Sequence, residues 1–529
     1  MGKKAVTLLL TLIMILTLFS GCLGKTKADK SFSAPISDEP TSLDPQIANS
    51  NSEKTIVLNC FEGLLRVNEK GELESGVAES YTVSPDGLTY TFKLRNNAHW
   101  ALFSGHKELL GEDYKDTFDI NVYAEDFKFA FDRLFDERIN SPYRDLFNCV
   151  DTYEATDKYT FTVRLKFADE NFLYSLTTPG AMPCDEAFYE LTGGKYGLDA
   201  KYLLCNGPFN VSKWIEGTSV RIVRNDDYNG VNTVKPAAVT FYINSSETQI
   251  AEKMNANTYD IAFFNKYNYE SLENKDDFNA VSVENTVYSL IFNQSDKYLS
   301  NKDIRLAINY ACDFSSLNFE NEDIDRAVSI IPPFCKVCNE PYINDSFKST
   351  LNSFDAQKAK NHLEQGLLEL GETSVELSIK CSSEYENVLK QLVQSLQKTL
   401  GVKFIVSVTA VEQSELTAIM RDGNYSVIFY PYTANSVFVN EFLDEISKSR
   451  IFNYNSEQYN DLLKRIQENA GNSQRLRELC SEAEKMLISD AVMIPVFYEN
   501  SYFITSEDTQ GIYFYSSGSN IYFINATKK

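Results

Sequence analysis

Histidine is almost absent from this chain of 529 residues, which carries only His99, His106 and His362. So sparse a supply of imidazole argues against a His-based nucleophilic triad and against a histidine-bound zinc centre, and neither HExxH nor GxSxG occurs. Cationic surface is also short. Lys and Arg number 50 against 74 Asp and Glu, the formal charge is −24, and no basic patch offsets it, which excludes nucleic acid as a partner. Cys335-Lys336-Val337-Cys338 has CxxC spacing but no second CxxC completes a four-thiolate zinc site. No Gly-rich loop suited to cradling phosphates is found. Beyond the first 21 residues no apolar run approaches a membrane span. There is no repeat of fixed period and no long low-complexity linker. Carboxylate-only glycoside hydrolysis leaves no motif to test.

What is present begins with an export signal. Lys3 and Lys4 precede an uncharged apolar run from Ala5 to Phe19, the length of a signal h-region. The run ends in Phe19-Ser20-Gly21-Cys22, which resembles a bacterial lipobox with Phe at the usual Leu position. That resemblance implies cleavage after residue 21, a diacylglycerol on the Cys22 thiol and acylation of the new amino group, a durable anchor when more than one chain is attached. Residues 22–31 then read as a solvated tether. Nine further cysteines follow, an odd number spread through a long chain, unlike a small disulfide scaffold. The CxxC pair is open to three readings: a redox couple, a loop disulfide or two thiols. At 43% apolar and 13% aromatic residues, the chain can bury large cores, and its length suits about three domain-sized units at roughly 150 residues each.

The early chain has β texture. Tyr81-Thr82-Val83 enters the turn Ser84-Pro85-Asp86-Gly87, and Leu88, Tyr90, Phe92 and Leu94 then alternate with polar residues, a hairpin with one buried face. Tyr159, Phe161, Val163 and Leu165 repeat the pattern. Between them, Phe127, Ala130, Phe131 and Leu134 line one face of a helix. From Thr286 the texture becomes αβ alternation. Strands are expected at 287–292, 377–379, 402–408 and 425–429. Helices are expected at 304–312, from an Asp355 N-cap over 356–363, through the Val388-to-Leu400 stripe, and around Leu462 and Leu479. The expected class is α/β with a mainly parallel or mixed sheet.

Several segments, taken in order, resemble one family. Glu39-Pro40-Thr41-Ser42-Leu43-Asp44-Pro45 is followed by Phe61-Glu62-Gly63-Leu64-Leu65, Gly76-Val77-Ala78-Glu79-Ser80 and the run Ser84 to Arg95. Ala124-Glu125-Asp126-Phe127, Asn206-Gly207-Pro208-Phe209 with Trp214, Phe292-Asn293, and Ile494-Pro495-Val496 complete the series. Together they resemble the oligopeptide-binding (family 5) extracellular solute-binding proteins of ABC importers. The resemblance implies a two-lobed periplasmic-binding-protein-like clamshell of the type II, cluster C kind. One lobe would comprise 32–73, an inserted subdomain at 74–204, 205–287 and the C-terminal part 499–529; the other would be 288–498. A ligand would lie between them and be enclosed by hinge closure.

The resemblance also implies candidate ligand-binding residues. The family's amine-anchoring motif, an aromatic-x-Ala-Asp, matches Tyr432-Thr433-Ala434-Asn435, with an amide where the carboxylate is expected; that loses a charge-assisted bond roughly twice as strong as a neutral one. Asn49 and Asn51 fall where the first lobe meets the ligand backbone, Tyr143 in a segment that lines the cleft, and Tyr288 and Tyr498 on strands near the hinge. No cofactor, metal or catalytic residue is implied. The partners would be a membrane permease with its ATPase subunits and a peptide or other small solute, the protein itself being an anchored monomer. A binder of amine-blocked or non-peptide ligands, or a sensor handing its ligand to a receptor, would share the same fold.

Overall fold

The structure is a computed structural model that describes residues 30–529 except 170, 231, 315, 316, 318–324, 339, 435, 471 and 516–519. The export signal and Cys22 therefore lie outside the described residues. The first strand, Ser31–Ile36, begins at the last position read as tether. It pairs in parallel with Ala238–Ile243, which continues antiparallel to Ser219–Arg224 and then Phe209–Ile215.

The predicted hairpin forms. Gly87, at φ 71°, closes the turn by donating to the Ser84 carbonyl, and Thr89–Leu94 buries Tyr90, Phe92 and Leu94. Ala78–Val83, Thr89–Leu94, Thr160–Leu165 and Val150–Asp157 make a four-stranded antiparallel sheet. Helix Ala124–Phe135 lays Phe127 and Phe131 on Phe161, with ring centroids 6.1 and 5.4 Å apart. This layer and the first sheet share one continuous apolar core.

The second half is built on a seven-stranded mixed sheet, with the path Ile261–Phe264, Met493–Ser506, Phe278–Phe292, Val427–Thr433, Val375–Ser382 and Phe404–Val411, while Asp325–Arg326 pairs off it. Its inner strand reads VYSLIF at residues 287–292 because both faces are covered. Val287 and Ile291 join one core with helices Val439–Lys448, Glu457–Glu468 and Ser473–Ser489. Tyr288, Leu290 and Phe292 join another with Lys302–Ala311, Ala356–Leu370 and Glu386–Leu400. Asp355 caps its helix as expected, accepting from the backbone of Gln357 and Lys358, and the helix runs on to Gly371, whose φ of 67° ends it. Two strand starts are corrected. The strand expected from 425 begins at Val427. Val402, taken as a strand residue, lies 95% exposed in a short 3₁₀ turn, and the strand begins at Phe404.

Two long strands, Phe278–Phe292 and Met493–Ser506, pair antiparallel and join the halves. Their outer ends pack with the first half through Ile261–Phe264; their inner ends belong to the second-half sheet. The register shifts between Val283 and Thr286, a bulge at Glu284–Asn285.

Within the first half, the loop after the first strand is pinned to helix Ala124–Phe135 by a buried ion pair. Arg133, 5% exposed, donates through Nη1 to Asp44 Oδ1 at 3.0 Å and also to Gln46, and its guanidinium lies 4.3 Å from the Tyr189 ring. Removing one partner of such a pair strands the other charge in an apolar site. Arg133→Met is expected to destabilise the protein by about 3–5 kcal/mol, read as a lowered urea midpoint with unchanged slope. A midpoint that does not move would contradict this reading of the pair.

Candidate functional site

The wall contributed by the first half is organised by Glu53. Its Oε1 accepts from Thr41 N and Oγ1, both at 2.7 Å, and from Ser42 N at 3.1 Å, while Oε2 accepts from Asn49 N at 2.8 Å and Ser50 N at 3.0 Å. Ser50 Oγ in turn accepts from Glu53 N, closing a capping box on helix Asn51–Cys60. Burial by itself would raise the Glu53 carboxyl, but hydrogen bonds from Ser50, Asn49 and Thr41 outweigh it and hold it below the usual range. Tyr143 Oη donates to the Ala48 carbonyl at 2.5 Å and Ser141 Oγ to the Gln46 carbonyl at 2.6 Å, which fixes the same loop from the other side.

The opposite wall is the loop at Ser436–Phe438 and helix Val439–Lys448. Strand Val427–Thr433 delivers the chain to this loop, where Ala434 N donates to the Asn285 carbonyl at the bulge, at 2.9 Å. The CxxC segment packs behind it. Lys336 N donates to the Val437 carbonyl at 2.6 Å, and the buried Cys335 thiol reaches the Ser436 carbonyl at 3.9 Å.

The two walls meet. Lys448 Nζ lies 3.0 Å from Asp145 Oδ2, Asn148 Nδ2 donates to Gln467 Oε1 at 3.0 Å, and the Tyr174 and Phe438 rings sit edge to face with centroids 5.9 Å apart. Between them is a cavity of about 310 Å³ lined by both halves, at the lower end of the size of small-molecule sites, which run from roughly 300 to 1,000 Å³. Asp145, Asp169, Glu441, Asp444 and Glu445 line it, against two lysines, Lys54 and Lys448. Lys448 is shared by Asp444 and Asp145. Burial lowers the Lys54 pKa, with Glu445, Glu441 and Glu53 opposing. Burial also pushes the Glu441 carboxyl from its ordinary 4.5 up to about 7, helped by Glu445 and opposed by Ser436 and Lys54.

Of the residues singled out from sequence, Asn49 and Tyr143 line this cavity. Asn51 is exposed at the start of its helix beside it. Asn435 lies outside the described residues, although its neighbour Ser436 lines the cavity. The Tyr432 ring packs on Phe442 and Phe452, with centroids 5.4 and 5.0 Å away. Tyr288 stacks on Phe497 at 4.8 Å, and the Tyr498 hydroxyl accepts from Ser329 N and donates to Ser329 O, each at 3.0 Å. These three rings are thus committed to the second-half core. None of the histidines lines the cavity: His106, for one, is buried beside Leu203 O, and burial pulls its pKa down to about 4. Among the described residues no cluster of His, Cys, Asp and Glu could hold a metal. Lys54, Asn171 and Glu441 escaped sequence reasoning, since a charge or amide on an amphipathic element looks like any solvated face. Glu53 did leave a signal, the Ser50-Asn51-Ser52-Glu53 capping-box pattern.

A ligand-sized cavity between two lobes, which are joined by paired strands, is the arrangement of a two-lobed binding protein. The family model described as bacterial extracellular solute-binding proteins, family 5 Middle, matches residues 72–454. The chain belongs to this family. It is 24% identical to the dipeptide-binding protein DppE of Bacillus subtilis, over 92% of this chain and 90% of that protein. It is 25% identical to the oligopeptide-binding protein OppA of the same organism, over 98% of each. Among solved structures, the substrate-binding domain of an oligopeptide ABC transporter from Bacillus anthracis superposes with a TM-score of 0.71 at 21% identity, covering 95% of this chain and 99% of that one. Listeria monocytogenes OppA bound to peptide gives 0.70 at 20%, with the same coverage.

The raised Glu441 carboxyl makes a signed prediction. A carboxyl whose folded pKa lies above its unfolded value binds more protons when folded, so its contribution is complete below about pH 4.5 and is lost as pH rises towards about 7. Glu441→Gln mimics the neutral form at every pH. The thermal midpoint of the unsubstituted protein should therefore fall relative to Glu441→Gln between about pH 4.5 and pH 7; the opposite slope would refute the buried-carboxyl account.

Proposed function

We propose that this chain is the lipid-anchored, extracytoplasmic substrate-binding protein of an ABC importer, which captures short peptides between its lobes and delivers them to a membrane permease. Family membership supports the class. The observation that carries the reading is the cavity between the lobes, lined from both of them and spanned by Lys448–Asp145 and Asn148–Gln467. Residues 288–498 form the lobe that moves against the rest, and closure traps the solute. The cavity volume favours a solute of a few residues. The relatives' names, a dipeptide-binding and an oligopeptide-binding protein, agree with that class. ATP hydrolysis belongs to the other subunits, and this chain works as a monomeric binder, not an enzyme.

Anchoring rests on Cys22 after its apolar leader. No helix among the described residues is long and apolar enough to cross a membrane, so acyl chains on Cys22 would supply the attachment.

Native mass spectrometry of the protein as purified should show adducts of peptide mass that are released on denaturation, and a short-peptide mixture should raise its thermal midpoint. An adduct-free protein indifferent to the mixture would refute the peptide role. In cells fed an alkyne fatty acid, the chain should take up label and Cys22→Ala should not; label retained by the variant would refute the anchor.

A further inference from the structure

Two buried cysteines meet where the layers of the first half are joined. Helix Asn51–Cys60 ends at Cys60, and the chain returns through Cys205 into strand Phe209–Ile215 after building the whole four-stranded sheet in between. Hydrogen bonds lace the two segments together. Gly207 N donates to the Cys60 carbonyl at 2.9 Å, Asn206 Nδ2 donates to the Glu62 carbonyl at 2.8 Å, and Glu62 N donates to Asn206 Oδ1 at 3.0 Å. The backbones approach so closely that a Cβ at Gly207 would lie 2.6 Å from the Cys60 carbonyl carbon. Cys205 is also held by Ala101 N, which donates to its carbonyl at 2.8 Å. Cys60 and Cys205, 0% and 2% exposed, belong to the same core, and a hydrogen bond joins their side chains. The CxxC spacing is no guide to this pair, since the Cys335 thiol faces the Ser436 carbonyl.

Thiols in contact, on backbones pinned to each other, need little movement to reach bonding distance. Burial, with Cys205 beside it, pushes the Cys60 thiol well above its ordinary range. Thiolate is the attacking species in disulfide exchange, so the folded core reacts slowly and the bond closes while the chain folds.

We propose that Cys60 and Cys205 form a structural disulfide, which ties the helix of the cleft wall to the chain returning from the four-stranded sheet. The oxidant is itself a disulfide, R–S–S–R, of a small molecule or an exchange protein. One cysteine thiolate attacks a sulfur of it and expels RS⁻, which takes up the released proton. The other cysteine attacks the mixed disulfide and expels the second RS⁻, which takes up the second proton. Two thiols of the chain become one disulfide, and one disulfide becomes two thiols RSH. The link closes a long loop in the unfolded chain and so lowers the entropy gained on unfolding. This role is separate from ligand capture and does not depend on it.

The test uses the full mature chain with Cys22→Ala, unfolded and reduced, then refolded in a mixture of oxidised and reduced glutathione. Free thiols are alkylated with iodoacetamide under denaturing conditions, and the chain is digested with trypsin without reductant. Residues 55–66 and 202–213 are the tryptic peptides that hold Cys60 and Cys205. They should be recovered as one linked species, two hydrogens lighter than their sum. The thermal midpoint should lie several degrees above that of the same chain refolded with a phosphine reductant. Cys60→Ala and Cys205→Ala should each erase that difference. Recovery of both peptides alkylated overturns the proposal, as does either cysteine linked to a different one. Linked peptides with equal midpoints in the two buffers overturn the stabilising role.

Discussion

The antiparallel ladder between Phe278–Phe292 and Met493–Ser506 is the constraint on which the rest depends. It is shared by both halves, so neither can leave the other without breaking a buried sheet. It is interrupted twice, between Val283 and Thr286 and again between Tyr288 and Ser289, and an interrupted ladder bends more readily than a continuous one. The cleft loops hang from the first of these interruptions: Ala434 N donates to Asn285 O, and Phe334 N to Glu284 O. The position of the second-lobe wall is thus tied to the bulge in the ladder that joins the two halves. Ser501 Oγ donates to Asn285 Oδ1 at 2.8 Å, which holds the bulge to the partner strand.

The two walls solve the problem of a polar cleft in different ways. The first lobe buries its charges as finished units. Glu53 is saturated by the loop it organises, and Asp44 is neutralised by Arg133, so the backbone that carries Asn49 is held by hydrogen bonds within this wall. The second lobe leaves its charges partly unresolved. Glu441 faces Lys54 across a gap in which burial opposes both ionised forms. Satisfied groups define the shape of a site, and groups left wanting define what enters it. The same division explains why Tyr288, Tyr432 and Tyr498 pack inward. Their rings seal the second-lobe core behind the wall, and the cavity surface is left to shorter polar side chains.

Local patterns made much of this legible in advance. The Ser84–Gly87 turn, the alternation over Thr89–Leu94, the apolar stripe of Ala124–Phe135 and the Asp355 cap are each written within a dozen residues, and each formed. The error at Val402 came from a β-branched residue beside Gly401: propensity favoured a strand, and the positive φ of the glycine imposed a turn first. In the cleft, Asn49 and Tyr143 were reachable because recognisable segments flank them. Lys54, Asn171 and Glu441 were not, because nothing within their own helices or loops separates them from solvated polar residues.

The sequence by itself determined the element types, the two textures of the chain, the acidic surface and the family, since all of these are local or cumulative properties of residue order. Only the tertiary structure decided which charges share a cavity. Lys54 and Glu441 stand almost four hundred positions apart, and the strand ladder that brings the lobes together puts them on facing walls, where exclusion of water turns ordinary surface groups into a site.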